Sequence, residues 1–130
     1  MLKKFALLFA IVVISLTSYA QQTEVLYFQA ELACCRAKAC NELQSDIKAM
    51  IENKYNSNQV KFTVVKLSDA ANKSLVEKHN ASSQTVVIVT TNGRKEKVKD
   101  ISDIVKAYAR NRDKNIFENQ LFAQLEEASK

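Results

Sequence analysis

Hydrophobic positions along the chain follow two spacings, one typical of strands and one typical of helices. Three short runs rich in β-branched and apolar residues predict strands at residues 24–29, 60–67 and 85–91. A fourth, more polar strand is predicted at residues 94–98, directly after a turn. Stretches in which apolar residues recur every three or four positions predict four helices. The first covers residues 36–54, and the second is capped by Ser68 or Asp69 and carries Leu75 and Val76. The third is capped by Asp100 and reaches Tyr108, and the fourth runs from Asp113 to Leu125. The order is β-α-β-α-β-β-α with an extended C-terminal helical segment.

The connections between these elements predict a mixed sheet. The first three strands are joined through helices, so right-handed crossovers are expected. Asn92 and Gly93 separate the last two strands and are a strong hairpin signal, which makes that pair antiparallel. An α/β fold, with helices on both faces of a mixed sheet, is the most economical architecture.

The first 20 residues have the three parts of a secretory signal peptide. Lys3 and Lys4 form the positive start, residues 5–16 are almost entirely apolar, and Ser18 and Ala20 are the small residues of a cleavage site. The apolar run is shorter than the about 20 residues of a membrane-spanning helix. We therefore expect residues 1–20 to be removed and residues 21–130 to form one periplasmic or secreted domain, with no membrane span after cleavage.

Composition narrows the class of protein. A hydrophobic content of 47% is typical of a globular domain. Loss of the signal removes two lysines and no acidic residue, which lowers the net charge from +5 to +3. Because no basic stripe alternates with aromatic residues, we expect no nucleic-acid partner. No nucleotide-binding loop or hydrolase motif is present, and we expect a monomer without a cofactor.

The cysteines carry the candidate chemistry. Cys34, Cys35 and Cys40 lie together where the first strand gives way to the first long helix. Structural disulfides of exported proteins usually join distant segments, and an odd number leaves one thiol unpaired in a monomer. The start of a helix favours a thiolate, which is both the nucleophile of disulfide exchange and a metal ligand. The three residues are therefore interpreted as reactive or ligating thiols; the alternative is a local disulfide beside an inert cysteine.

The element order and the position of the cysteines resemble the thioredoxin superfamily, in particular small exported bacterial members. The resemblance covers nearly all of residues 24–130 and includes the motifs VLYF at 25–28 and CNEL at 40–43. It implies thiol–disulfide exchange, in which one cysteine attacks and a second resolves the mixed disulfide. Matching the helix face puts Cys40 in the resolving position, on an apolar stripe that predicts burial, and Cys34 or Cys35 in the attacking position.

Two features depart from the family pattern. The family motif is Cys-x-x-Cys. If Cys34 is the first cysteine of the motif, the position of the second is taken by Ala37; if Cys35 is the first, that position is taken by Lys38. The family usually has a cis-proline before its third core strand, whereas the matching residue here is Gln84, for which a trans peptide bond is expected. In a continuous helix Cys35 and Cys40 would lie about 7.5 Å apart along the axis. A disulfide to Cys40 therefore requires residues 34–38 to be non-helical.

Three functions follow as hypotheses. The first is a thiol–disulfide oxidoreductase or dithiol electron carrier of the cell envelope, whose partner is another dithiol or disulfide protein such as a membrane reductant. The second is a binding module in which three thiolates capture a soft metal or metalloid ion such as Cu(I). The third is a non-catalytic interaction domain. His79 could complete a zinc site with three thiolates, but we assign it to a helix end and expect no resident metal.

Overall fold

The computed structural model describes residues 21–31 and 35–130, without the side chains of residues 35–37. The expected signal peptide, residues 1–20, and Cys34 lie outside this part. The described elements are, in order, β1 (Gln22–Gln29), α1 (Cys35–Lys54), β2 (Val60–Lys66), a 3-10 turn (Ala70–Asn72), α2 (Lys73–Lys78), β3 (Val86–Asn92), β4 (Lys95–Asp100), α3 (Ser102–Asn111) and α4 (Lys114–Ala128). None of the helices in these two ranges has both the length and the apolar character needed to cross a membrane.

The sheet has four strands in the order β2-β1-β3-β4. Strands β1 and β2 are parallel, with Tyr27 opposite Val64, whereas β3 is antiparallel to both β1 and β4. The predicted mixed α/β architecture is confirmed. We expected right-handed crossovers between all of the first three strands, but the handedness rule applies only to connections between parallel strands of one sheet. Only the β1–α1–β2 connection joins such a pair.

The sheet is covered on both faces. The face that carries Val25 and Tyr27 packs against α1, α3 and α4, in a cluster with Leu43, Ile47, Phe117 and Leu121 among its buried members. The opposite face carries Leu26 and Phe28 and packs against α2 through Leu75 and Val76. Alternate residues of β1 therefore belong to different clusters, as expected for a central strand that is buried on both sides.

The turns follow the polar residues that the sequence offers. Gly93 has φ +63° in the β3–β4 hairpin, a conformation that glycine adopts without steric cost. Asp113 accepts a hydrogen bond from the N–H of Ile116 and caps α4, as its position predicts. Asp69 caps the 3-10 turn through the N–H of Ala71. Helix α2 is shorter than expected because that turn takes up its first residues.

A polar contact between helices fixes α1 against α3. The hydroxyl of Tyr108 donates a hydrogen bond of 3.1 Å to Oδ2 of Asp46, and Arg112 Nη1 lies 3.6 Å from the same oxygen. The ring of Tyr108 stacks on Phe117 at 4.6 Å, which extends the contact to α4. Burial, followed by the hydrogen bond and charge of Asp46, raises the pKa of Tyr108. The Asp46 carboxylate thus connects the helix that carries Cys40 to the C-terminal helices.

Replacing Asp46 by alanine should lower the free energy of unfolding by about 1 kcal/mol, the usual contribution of a hydrogen bond of this kind. Urea unfolding followed by circular dichroism would measure the loss. Glu42→Ala is the matched control, since Glu42 is an exposed acid on the same helix. A loss for Asp46→Ala no larger than that for Glu42→Ala would show that the contact does not stabilise the packing of α1.

Candidate functional site

Cys40 lies in the second turn of α1, on the side of the helix that faces the sheet. Leu43 and Ile47 lie three and seven residues after Cys40. Both are almost fully buried, in the cluster that contains Tyr27. Cys40 itself is only half-buried, and within the described residues its thiol is free. The expected burial of Cys40 is therefore only partly correct, because the residue lies one turn closer to the helix start than Leu43.

The loop before β3 brings Gln84 to this sulfur. The side-chain amide of Gln84 donates to Sγ of Cys40 over 3.7 Å, although 44 residues separate them. Two backbone hydrogen bonds hold the loop against β1: Gln84 donates to the carbonyl of Phe28 at 3.2 Å, and Phe28 donates to that of Thr85 at 2.9 Å. The trans peptide bond expected before Gln84 is confirmed.

The backbone of Gln84 is unusual. Its φ of +63° lies in the left-handed region, which an L-residue with a long side chain seldom adopts. Such strain is found where the surrounding structure fixes it, and it concentrates at functional sites. Here the hydrogen bonds to the end of β1 fix the loop and turn the Gln84 amide towards α1.

Tyr27 is a buried residue of β1 on the face of the sheet that α1 covers. The residue is 1% exposed, and its hydroxyl has no hydrogen-bond partner among the described residues. Burial raises the pKa of Tyr27 to about 12, and the negative charge of a Cys40 thiolate adds to the shift. Sequence reasoning assigned Tyr27 to the core and missed the hydroxyl; the only signal was a tyrosine between the apolar residues Leu26 and Phe28.

A second contact joins the same two elements beside the cysteine. The side-chain amide of Gln29, the last residue of β1, donates to Oδ1 of Asn41 over 2.8 Å. Asn41 directly follows Cys40, so this bond places the second turn of α1 over the end of β1. Asn41 belongs to the CNEL motif at 40–43, but its bond to Gln29 was not predicted, since an exposed amide pair has no pattern that distinguishes it from other surface residues.

The three predicted site residues do not all fall within the described part. Cys34 lies outside it, and for Cys35 only the backbone is described, as the first residue of α1. Because α1 is helical from Cys35 through Cys40, their separation along the axis is about 7.5 Å. A disulfide needs Cα atoms within about 7 Å. The described conformation therefore does not accommodate a Cys35–Cys40 bond.

His79 does not join the cysteine site. Its ring packs against Phe28 at 5.8 Å, on the face of the sheet that α2 covers, whereas Cys40 lies on the face that α1 covers. In the described ranges no group of three or more histidine, cysteine or acidic side chains could hold a metal ion. His79 ends α2 by donating its backbone N–H to the carbonyl of Leu75.

Comparison with known proteins identifies no family. No protein-family model and no curated protein matches the chain. A solved structure described as "Structure of a malarial protein" is 22% identical in sequence, covers 61% of this chain and 80% of its own, and superposes with a TM-score of 0.40. That similarity is too low to support an argument about fold or function.

The packing of His79 predicts a loss of stability in mild acid. Burial, followed by the charge of Lys78, lowers the pKa of His79 from 6.5 in the folded protein, while Glu96 opposes the shift. As the pH falls below about 6.5, the unfolded chain takes up the proton first, which stabilises the unfolded state. Urea unfolding at pH 7.5 and pH 5 should therefore show a larger decline for the wild type than for His79→Leu. An equal decline in both would contradict this.

Proposed function

We propose that this chain is a thioredoxin-like domain of the cell envelope that exchanges thiols and disulfides with a partner protein, using Cys40 together with Cys34 or Cys35. The contact between Cys40 and Gln84 is the observation that carries the proposal. These residues were matched to the family separately, Cys40 by helix face and Gln84 by its place before the third strand. Their meeting across 44 residues supports both assignments.

The arrangement of the elements also supports a thioredoxin-like fold. The β1–α1–β2 unit is parallel, the β3–β4 pair is an antiparallel hairpin, and helices cover both faces of the sheet. These features agree with the resemblance that the sequence carries. They put the start of α1 at the carboxyl end of β1, where ligands and substrates of α/β proteins commonly bind.

The proposed reaction has two steps. The thiolate of Cys34 or Cys35 attacks one sulfur of a disulfide in the partner, forms a mixed disulfide and releases the partner's other sulfur as a thiolate, which takes up a proton. The Cys40 thiolate then attacks the domain's sulfur in the mixed disulfide. An internal disulfide forms, and the partner leaves as a dithiol. Two electrons pass to the partner protein. The same two steps in the reverse order would oxidise the partner.

The internal disulfide requires the first turn of α1 to unwind, since the helix separates Cys35 from Cys40. The sequence of that turn favours opening. It contains no acidic residue, while Arg36 and Lys38 put positive charge at the positive end of the helix dipole. The reduced, helical form and the oxidised, unwound form would then differ mainly in residues 35–38.

Capture of a soft metal or metalloid ion is the second candidate. Helical continuity from Cys35 to Cys40 disfavours the internal disulfide and would keep the thiols available as ligands. Thiolates bind Cu(I) and similar ions strongly. Metal capture needs no second redox protein, whereas thiol–disulfide exchange does. The two functions can therefore be distinguished by testing whether a partner protein is trapped.

The exchange proposal predicts that Cys40→Ser accumulates mixed disulfides with partner proteins, because the resolving step is missing. Cells that export each variant would be alkylated and their proteins separated on non-reducing gels. The variant of whichever residue attacks, Cys34→Ser or Cys35→Ser, should trap no partner. Ala39→Ser, an exposed substitution next to Cys40 that leaves all thiols intact, is the matched control and should behave like the wild type.

Equal trapping by all three cysteine variants would indicate nonspecific thiol reactivity and contradict the proposal. An absence of trapping by Cys40→Ser, together with stoichiometric Cu(I) binding by the reduced wild type, would instead support the binding module.

A further inference from the structure

Thr90 is a buried polar residue on the face of β3 that carries Ile88. It is 3% exposed, and its hydroxyl oxygen has no hydrogen-bond partner among the described residues. Native proteins pair almost all buried hydroxyls, because an unpaired one loses its hydrogen bonds to water. Valine has nearly the same shape and would not carry this cost. A threonine at this place therefore needs a reason other than packing.

Thr90 lines two cavities that adjoin each other beside β4 and the end of α4. The larger has a volume of about 400 Å³, and its other lining residues include Ile88, Lys97, Lys99, Glu127 and Ala128. The smaller, of about 250 Å³, is also lined by Thr90 and Lys97, together with Asn92, Lys95 and Lys130. Because Thr90 and Lys97 border both cavities, the two form one groove. The volume of the larger cavity is in the range of small-molecule sites.

Strand β4 places a row of lysines along this groove. Lys97 lies opposite Thr90 in the β3–β4 ladder, and Lys95 and Lys99 lie two residues to either side, so all three belong to the Thr90 face. Lysines on an edge strand discourage pairing with another chain, which accounts for their charge but not for the cavity beside them. Glu127 forms an ion pair with Lys99 at 2.9 Å, whereas Lys95 and Lys97 have no ion-pair partner in the part of the chain that the structure describes. The groove therefore carries positive charge that the described residues leave unpaired.

We propose that this groove binds a small organic anion of the class of an aliphatic carboxylate. The carboxylate accepts hydrogen bonds from the ammonium group of Lys97 and the hydroxyl of Thr90, and the aliphatic part lies against Ile88 and Ala128. Rotation about the Cα–Cβ bond of Thr90 exchanges its methyl and hydroxyl groups and can present the hydroxyl to the groove. The anion thereby supplies the partner that the buried hydroxyl lacks.

The groove is separate from the cysteine site. Thr90 pairs with Thr23 near the start of β1, whereas Cys40 is held near the other end of that strand, beside Gln29 and Gln84. Binding of an anion therefore does not depend on the proposed exchange of thiols and disulfides, and failure of one function would leave the other intact.

The test titrates octanoate into the purified, isotope-labelled protein and follows the backbone amide signals by NMR. We expect saturable shifts that are largest for Thr90, Lys97 and their neighbours in β3 and β4. Octanamide has the same chain without the charge, and inorganic phosphate has charge without the chain. Both should bind more weakly than octanoate, because each lacks one of the two features that the groove recognises.

Two substitutions test the polar contacts. Thr90→Val and Lys97→Gln should each raise the dissociation constant of octanoate about three- to tenfold, the equivalent of one hydrogen bond. Thr91→Val is the control for the first, because Thr91 belongs to the opposite face of β3 and lines a different cavity. Lys106→Gln is the control for the second, since it removes the same charge from an exposed position on α3. Both controls should bind octanoate like the wild type.

The proposal would be overturned if octanoate caused no saturable shifts, or if octanamide bound as tightly as octanoate. Equal weakening by Lys97→Gln and Lys106→Gln would also overturn it, because binding would then follow the overall charge rather than this groove. Unchanged binding by folded Thr90→Val would remove Thr90 from the site. Lys97 is exposed, so Lys97→Gln serves as the deciding variant if Thr90→Val does not fold.

Discussion

Burial of β1 on both faces is the constraint on which the rest of the structure depends. The strand hydrogen-bonds to β2 on one side and to β3 on the other, and Tyr27 and Phe28 point into separate clusters. Helix α1 is positioned by packing Leu43 and Ile47 on the Tyr27 face. The loop that carries Gln84 is positioned by hydrogen bonds to Phe28. Cys40 and Gln84 meet because both are held against the end of this one strand.

The sequence predicts the framework well because its signals are local. The β-branched run at 60–67 corresponds to Val60–Lys66, and the Asn92-Gly93 pair marks the hairpin. The direction of β3 relative to β1 has no local signal, so it was not foreseen. The length of α2 was overestimated, because the choice between a 3-10 turn and an α-helix after Asp69 depends on packing against the sheet.

The site itself was less accessible to sequence reasoning. The three cysteines are conspicuous, but the contact of Cys40 with Gln84 is a product of tertiary structure. A glutamine gives no hint of a left-handed backbone, which glycine or asparagine would have suggested. Cys40 was expected to be buried, whereas it is half-exposed. Its sulfur accepts a hydrogen bond from the side-chain amide of Gln84.

The central claim, that Cys40 pairs with one of the two neighbouring cysteines, is tested most directly by mapping disulfides. Trypsin cleaves after Arg36 and Lys38, which separates Cys34 and Cys35 from Cys40. Protein from cells treated with a thiol oxidant and then alkylated would be digested without reduction. We predict a mass for two peptides linked through Cys40 that disappears on reduction. The claim would be contradicted if Cys40 were fully alkylated after oxidation. In that case either Cys34 would be bonded to Cys35 or all three thiols would be alkylated.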